Sequence, residues 1–125
     1  MNDRVFGEVK FDTGWYRNET ILYCGTQYEI YICANSYRET DLITDNQRMA
    51  YTFFVENKVS LEQEIESLLV SYGGEDFLKQ LKPTGLVIER DGGCAILFDD
   101  ASDLDNGIAV TLAPDKEVMT QDDYL

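Results

Sequence analysis

The chain has 125 residues, a hydrophobic fraction of 44%, no histidine and a formal net charge of −14 at pH 7. This length and hydrophobic content predict one folded domain over residues 1–125, without a disulfide or metal to hold it together. The lack of histidine excludes the usual neutral-pH base, the imidazole of a catalytic triad and zinc sites that use histidine nitrogen.

The acidic excess is concentrated in the second half of the chain. Residues 1–59 hold nine acids and six bases, whereas residues 60–125 hold fifteen acids and four bases. A field of this sign repels phosphate backbones and anionic lipid, and it speeds encounter with basic proteins. We therefore expect a basic protein partner and no direct binding to nucleic acid or membranes.

Apolar patterning and cysteine use predict a cytoplasmic protein. No run of residues approaches the ~18 apolar residues of a membrane span, and the N-terminal residues lack the basic-then-apolar order of a signal peptide. The three cysteines, Cys24, Cys33 and Cys94, lie within apolar runs and cannot all pair with one another. Reduced thiols in such surroundings behave as small hydrophobic residues.

The first third of the chain predicts three antiparallel strands. Apolar and polar residues alternate over 5–11, and β-branched and aromatic residues are concentrated over 15–23 and 27–34. Gly25 and Thr26, between the second and third strands, are typical of a two-residue hairpin loop.

The middle of the chain predicts helices. Thr44 can cap a helix over 45–57. Ser60 and Gln63 form a capping box ahead of apolar residues at helical spacing, which indicates a second helix, and residues 75–81 add one or two further turns. The residues of the first helix expected to face the core are Met49, Phe53 and Phe54.

The last third returns to strands. The Asp-Gly-Gly run at 91–93 is a hairpin signal between strands over 86–89 and 94–98, and shorter strands are predicted at 108–112 and 118–119. The whole pattern predicts an α+β fold in the order βββ-αα-ββ(β). It should contain an antiparallel sheet of about five or six strands with two to three helices packed on one face.

The side chains with catalytic or binding potential that cluster in this sequence are carboxylates. No nucleotide-binding loop, Cys-x-x-Cys pair or Gly-x-Ser-x-Gly motif is present, so we expect neither a cofactor nor catalysis. Segment 99–107 predicts an acidic loop, but no register within it matches a calcium loop, and we predict no metal site. The residues predicted to bind the partner are Asp99, Asp100, Asp103 and Asp105, followed by Glu75 and Asp76.

A group of aromatic residues permits two interpretations. At an interface these side chains would act as anchors, whereas on a pleated sheet they bury large areas as cross-strand pairs. Strand spacing favours the second interpretation. The residues concerned are Trp15, Tyr16, Tyr28, Tyr31, Tyr37 and Tyr51.

Several short motifs resemble an uncharacterised bacterial domain family. They are Phe-Gly-Glu at 6–8, Leu-Lys-Pro-Thr-Gly-Leu-Val-Ile at 81–88, Asp-Gly-Gly at 91–93, Leu-Phe-Asp at 97–99, Asn-Gly-Ile-Ala-Val at 106–110 and Thr-Gln-Asp at 120–122. Strand and turn residues carry this likeness, which therefore implies a shared fold and no particular chemistry. Small acidic domains of this kind are also similar to the bacterial immunity proteins that neutralise toxin domains, commonly nucleases, of contact-dependent and other polymorphic toxin systems.

The leading hypothesis is a cytoplasmic immunity protein that neutralises a basic toxin domain, a nuclease such as an RNase or tRNase. Its acidic surface would occupy the site where the toxin binds substrate phosphates. Two alternatives stay open: a Mg²⁺- or Ca²⁺-dependent hydrolase that uses the aspartates at 99–105, and a protein-interaction module with no toxin partner. The sequence does not fix the oligomeric state or the strand order.

Overall fold

A computed structural model describes residues 1–124 of the chain as nine strands and four helices. The strands are β1 (Asn2–Asp3), β2 (Gly7–Glu8), β3 (Lys10–Phe11), β4 (Gly14–Tyr23), β5 (Thr26–Asn35), β6 (Leu81–Ile88), β7 (Cys94–Asp100), β8 (Asp103–Ala113) and β9 (Glu117–Thr120). The helices are α1 (Asp45–Glu56), α2 (Lys58–Gly73), α3 (Glu75–Leu78) and α4 (Gln121–Tyr124). β1 pairs with β2, and the other seven strands form one sheet in chain order from β3 to β9.

The prediction of an antiparallel sheet of five or six strands is wrong, because the seven-stranded sheet is mixed. β5 and β6 run parallel, with Tyr31 opposite Gly85, and the other neighbouring pairs in this sheet are antiparallel. The cause is the connection over residues 36–80, whose helices return the chain to the end of the sheet where β5 began. The predicted order also lacks α4, which follows β9 directly.

Local sequence signals locate several element ends. Thr44 Oγ1 accepts from the N–H of Gln47 at 3.1 Å, and the Gln47 side chain accepts from the N–H of Thr44 at 2.9 Å, which confirms the cap predicted for α1. The turn between β4 and β5 lies one residue earlier than predicted, at Cys24 and Gly25. Both have positive φ, 50° and 79°, as a tight primed turn requires.

Helix α1 turns a different face inward from the one that its sequence predicts. The side-chain amide of Gln47 is fully buried and donates to the carbonyls of Asn35 and Ile88, at 2.9 and 3.1 Å. These bonds fix the rotation of the helix over the ends of β5 and β6. The prediction that Met49 and Phe53 face the core is wrong, since they are 69% and 50% exposed, although Phe54 is buried as predicted.

The sheet curves around α2. This helix contacts both β4 and β9, although four strands separate them in the sheet. Glu62 of α2 accepts from the N–H of Leu22 at 2.6 Å, where β4 has no neighbouring strand on that side. The carboxylate therefore occupies an edge position that another strand would otherwise take.

The two faces of the seven-stranded sheet are covered differently. One face contributes apolar side chains to the core that the helices α1 and α2 complete, including Ile32, Leu86, Ile96 and Val110. On the opposite face, which we call the open face, α4 lies against β8 and β9. Gln121 of α4 donates to the carbonyl of Phe98 at 2.8 Å. The part of the open face formed by β4, β5 and β6 carries polar and aromatic side chains.

Candidate functional site

The six carboxylates predicted to bind a partner lie at one end of the sheet. β7 ends and β8 begins there, and α3 leads directly into the start of β6. The N–H of Ala101, in the turn between β7 and β8, donates to the carbonyl of Gln80 at 2.8 Å and ties this turn to the segment after α3. We call this group the acidic end: Glu75, Asp76, Asp99, Asp100, Asp103 and Asp105.

Segment 99–107 is not the acidic loop that the sequence predicts. Asp99 and Asp100 complete β7, the next two residues form a tight turn, and Asp103 opens β8 opposite Asp100. Backbone pairing continues through these polar residues because the strands extend beyond the covered core, so that alternate carboxylates can point into solvent. Asp99, Asp103 and Asp105 are exposed on this hairpin.

Asp100 has a structural role that its neighbours lack. It is only 8% exposed, and its Oδ1 accepts from the N–H and the hydroxyl of Ser102, at 2.9 and 2.7 Å. An aspartate that binds the backbone two residues on is a common device for holding a tight turn. The other five members of the acidic end are exposed, so they alone are free to meet a partner.

The exposed carboxylates have few positive neighbours. Residues 75–82 and 99–106 together hold six acids and two lysines. Lys79 Nζ lies 3.6 Å from Asp76 Oδ1, and Lys82 is opposite Asp99 in the pairing of β6 with β7. Across residues 1–124, no ion pair involves Glu75, Asp99, Asp103 or Asp105.

A groove lies on the open face between Asp12 and Tyr31. Tyr16 of β4 is opposite Cys33 of β5, and Asn18 is opposite Tyr31. Residues directly opposite one another in an antiparallel pair share a face, so these four side chains line one surface. Together with Asp12 and neighbouring residues they border a groove of about 460 Å³.

The ring of Tyr31 lies against the backbone of Gly85 on the neighbouring strand β6. A Cβ atom at Gly85 would overlap three atoms of the ring, so glycine is the residue that leaves room for it. The tyrosine is nevertheless 37% exposed. Burial raises the pKa of its hydroxyl, and the nearby Cys33 and Asp99 raise it further. In the strand register, Gly85 is opposite Leu97 of β7, and Asp99 follows two residues later toward the acidic end.

Carboxylates also border the far end of the groove. Asp12 lines it, and the two carboxylate oxygens of Glu89 accept from Asn35 Nδ2 at 3.1 and 3.0 Å. Tyr124 of α4 donates to Glu89 Oε1 at 3.1 Å. Burial, followed by the charges of Glu89 and Asp12, raises the pKa of the Cys33 thiol to about 11. The thiol therefore stays protonated at neutral pH, and it is a poor nucleophile.

The aromatic residues divide between the core and the surface. Trp15 and Tyr51 are buried, at 5% and 6% exposure, whereas Tyr37 is 91% exposed. Tyr31 alternates along β5 with the core residues Ile30 and Ile32. That alternation was the available signal that Tyr31 belongs to the polar face of its strand.

Two features that would indicate a function are absent from residues 1–124. Within residues 1–124, no helix has the length and apolar character needed to cross a bilayer, and no three histidine, cysteine, aspartate or glutamate side chains are grouped so as to hold a metal ion. Comparisons with protein-family models, curated proteins and solved structures found no match. Function is therefore inferred from the chemistry of the chain itself.

Proposed function

We propose that this protein is a cytoplasmic immunity-type inhibitor, which binds a basic nuclease toxin domain and excludes substrate from it with the acidic end. The observation that carries the proposal is the set of exposed carboxylates at the turn between β7 and β8 that form no ion pair within residues 1–124. Nucleases hold phosphate with lysine and arginine, and carboxylates satisfy the same donors through charge-assisted hydrogen bonds. The chain itself needs no catalytic group for this role.

The geometry of the acidic end supports such binding. Asp103 and Asp105 are alternate residues of β8, so their side chains leave the strand on the same side. The tight turn stabilised by Asp100 holds these residues on a hairpin of the main sheet. A preordered surface loses little conformational freedom on association, and its charge accelerates encounter with a basic partner.

The same geometry does not favour a metal-dependent hydrolase. Asp100 is buried and binds Ser102, so it does not converge with Asp99, Asp103 and Asp105 on a common point in solvent. The remaining exposed carboxylates would also repel a phosphate substrate.

The first candidate for the partner is the protein encoded by the adjacent reading frame. The proposal requires this protein to end in a basic domain. Association and dissociation rates are measured at low and high salt for wild type and for the threefold variant Asp99→Asn, Asp103→Asn and Asp105→Asn. We expect about tenfold slower association at low salt and a weaker salt dependence, since charges at the rim of an interface act mainly on encounter. Asp100 is left unchanged to preserve the turn.

A matched control removes the same charge elsewhere. Glu39→Gln, Glu56→Gln and Asp115→Asn alter three exposed acids outside the acidic end. We expect this variant to bind at nearly the wild-type rate. Equal losses of association rate in the two variants would show that only net charge matters. If the protein from the adjacent reading frame is not basic and does not bind this chain, the toxin hypothesis is wrong.

A further inference from the structure

We infer that the groove on the open face is a socket for a cationic side chain, an arginine or lysine that projects from the basic partner. The interface would then run from the acidic end across Asp99 onto the surface of β4, β5 and β6. The identity of the partner rests on the proposed function, whereas the chemistry of the socket can be tested without any partner.

The first observation behind the socket is the position of Tyr31. Its ring covers Gly85 and is still 37% exposed, so it offers an aromatic surface to a ligand. Cations are attracted to the face of a tyrosine ring within about 6 Å of its centre. The chain already uses this contact elsewhere, because the guanidinium of Arg17 lies 6.0 Å from the centre of the Tyr51 ring.

The second observation is the charge around the groove. Asp12 lines it, Asp99 lies near Tyr31, and Glu89 lies near Cys33. The nearby cations are Lys10, Lys82 and Arg90. The two lysines are exposed and pair in register with Tyr16 and Asp99, and the Arg90 guanidinium donates to the backbone carbonyl of Asn35 at 3.3 Å. These charges balance in number, but among the described residues the charged side chain that lines the groove itself is the carboxylate of Asp12, which attracts a cation and repels an anion.

The third observation is the supply of hydrogen-bond acceptors. The side-chain N–H₂ of Asn35 donates to Glu89, and the amide oxygen of Asn35 accepts from the Cys33 thiol at 3.6 Å. The second lone pair of that oxygen remains for a ligand. The carboxylate of Asp12 accepts only, and Asn18 adds a further amide oxygen. A guanidinium carries five N–H donors and no acceptor, so it complements this lining better than an anionic or apolar group.

The socket is tested with Nα-acetyl-arginine amide, titrated into ¹⁵N-labelled protein and followed by NMR. The control ligand is the corresponding citrulline amide, which keeps the shape of arginine and removes its charge. We expect saturable shifts for the arginine probe at residues 16–18 and 31–35, and none for the citrulline probe. Equal shifts with both probes, or shifts confined to the acidic end, would overturn the inference.

Variants identify the aromatic contribution. Tyr31→Leu keeps an apolar cover over Gly85, and we expect it to weaken probe binding about two- to fivefold, as loss of an exposed cation–π contact does. Tyr72→Leu, on α2, is the matched control because Tyr72 is 52% exposed and lies outside the groove. Probe binding that is unchanged in Tyr31→Leu, with the melting curve intact, would contradict the role of the ring.

The basic partner, once purified, separates failure of the socket from failure of the proposed function. If Tyr31→Leu binds both probe and partner as wild type does while the threefold aspartate variant loses the partner, the socket is wrong and the proposed function stands. If the arginine probe binds in the groove but the threefold variant still binds the basic partner normally, the socket stands and the proposed role of the acidic end falls.

Discussion

Replacing Gly85 with alanine tests the contact that forms the groove. Alanine is favoured over glycine in a strand by about 0.5–1 kcal/mol, because glycine loses more backbone freedom on folding. Here the new methyl would overlap the ring of Tyr31, and overpacking of this kind costs about 1–3 kcal/mol. We expect the lower half of that range, since the outer end of the ring can move toward solvent. Gly85→Ala should therefore destabilise the protein by up to about 1.5 kcal/mol.

The sign of this effect should reverse when the ring is removed. In a Tyr31→Ala background the methyl meets no ring, so Gly85→Ala should stabilise the protein by about 0.5–1 kcal/mol. Urea unfolding of wild type, the two single variants and the double variant gives the coupling energy, expected at about 1–2 kcal/mol. The same effect of Gly85→Ala in both backgrounds, within about 0.5 kcal/mol, would refute the packing of Tyr31 on Gly85.

Two further predictions concern stability at low pH and thiol reactivity. Burial raises the pKa of Asp3, but hydrogen bonds from Arg48 and two backbone N–H groups outweigh it and lower that pKa below its usual value. The resulting stability is present above pH ~4 and is lost as pH falls through the lowered pKa. Asp3→Asn should therefore cost about 1.5–3 kcal/mol at pH 7 in urea unfolding, and less at pH 3, whereas an equal cost at both would contradict this. A thiol reagent should modify exposed Cys24 in the folded protein but reach Cys33 and Cys94 only after unfolding, because both are buried, with pKa values raised to about 11. Rapid modification of more than one thiol in the folded protein would contradict this.

The elements that the sequence predicts well depend on neighbouring residues. The cap predicted at Thr44 depends on contacts within four residues, and the turn at 91–93 depends on its own glycines. The capping box predicted at Ser60 and Gln63 is wrong, because α2 already begins at Lys58 and its N-cap is Asn57. The parallel pairing of β5 with β6 depends instead on where the helices over 45–78 place the start of β6. No local pattern carries that information, and hairpins at both ends of the chain favoured an antiparallel sheet.

In the candidate site, too, some features could be predicted from the sequence and others could not. Charge patterning predicted the carboxylates of the acidic end, and the structure gathers them because the turn after β7 lies beside the segment after α3. The burial of Asp100 could have been anticipated, since Asp followed two residues later by Ser102 is a turn signature. The alternation along β5 indicates the face of Tyr31, but the packing of its ring on Gly85 could not be anticipated, because Gly85 is distant in sequence and adjacent only in the parallel pair.

The fold separates carboxylates that hold the structure from those that can meet a partner. Three acidic residues are buried in the described part of the chain, Asp3, Glu62 and Asp100, and each accepts hydrogen bonds from backbone N–H groups. The exposed acids at the turn after β7 have no such bonds and contribute mainly mutual repulsion. Neutralising them should leave the fold intact, whereas a basic surface placed against them would relieve the repulsion. That difference is the reason why we propose a cationic protein as the partner of this surface.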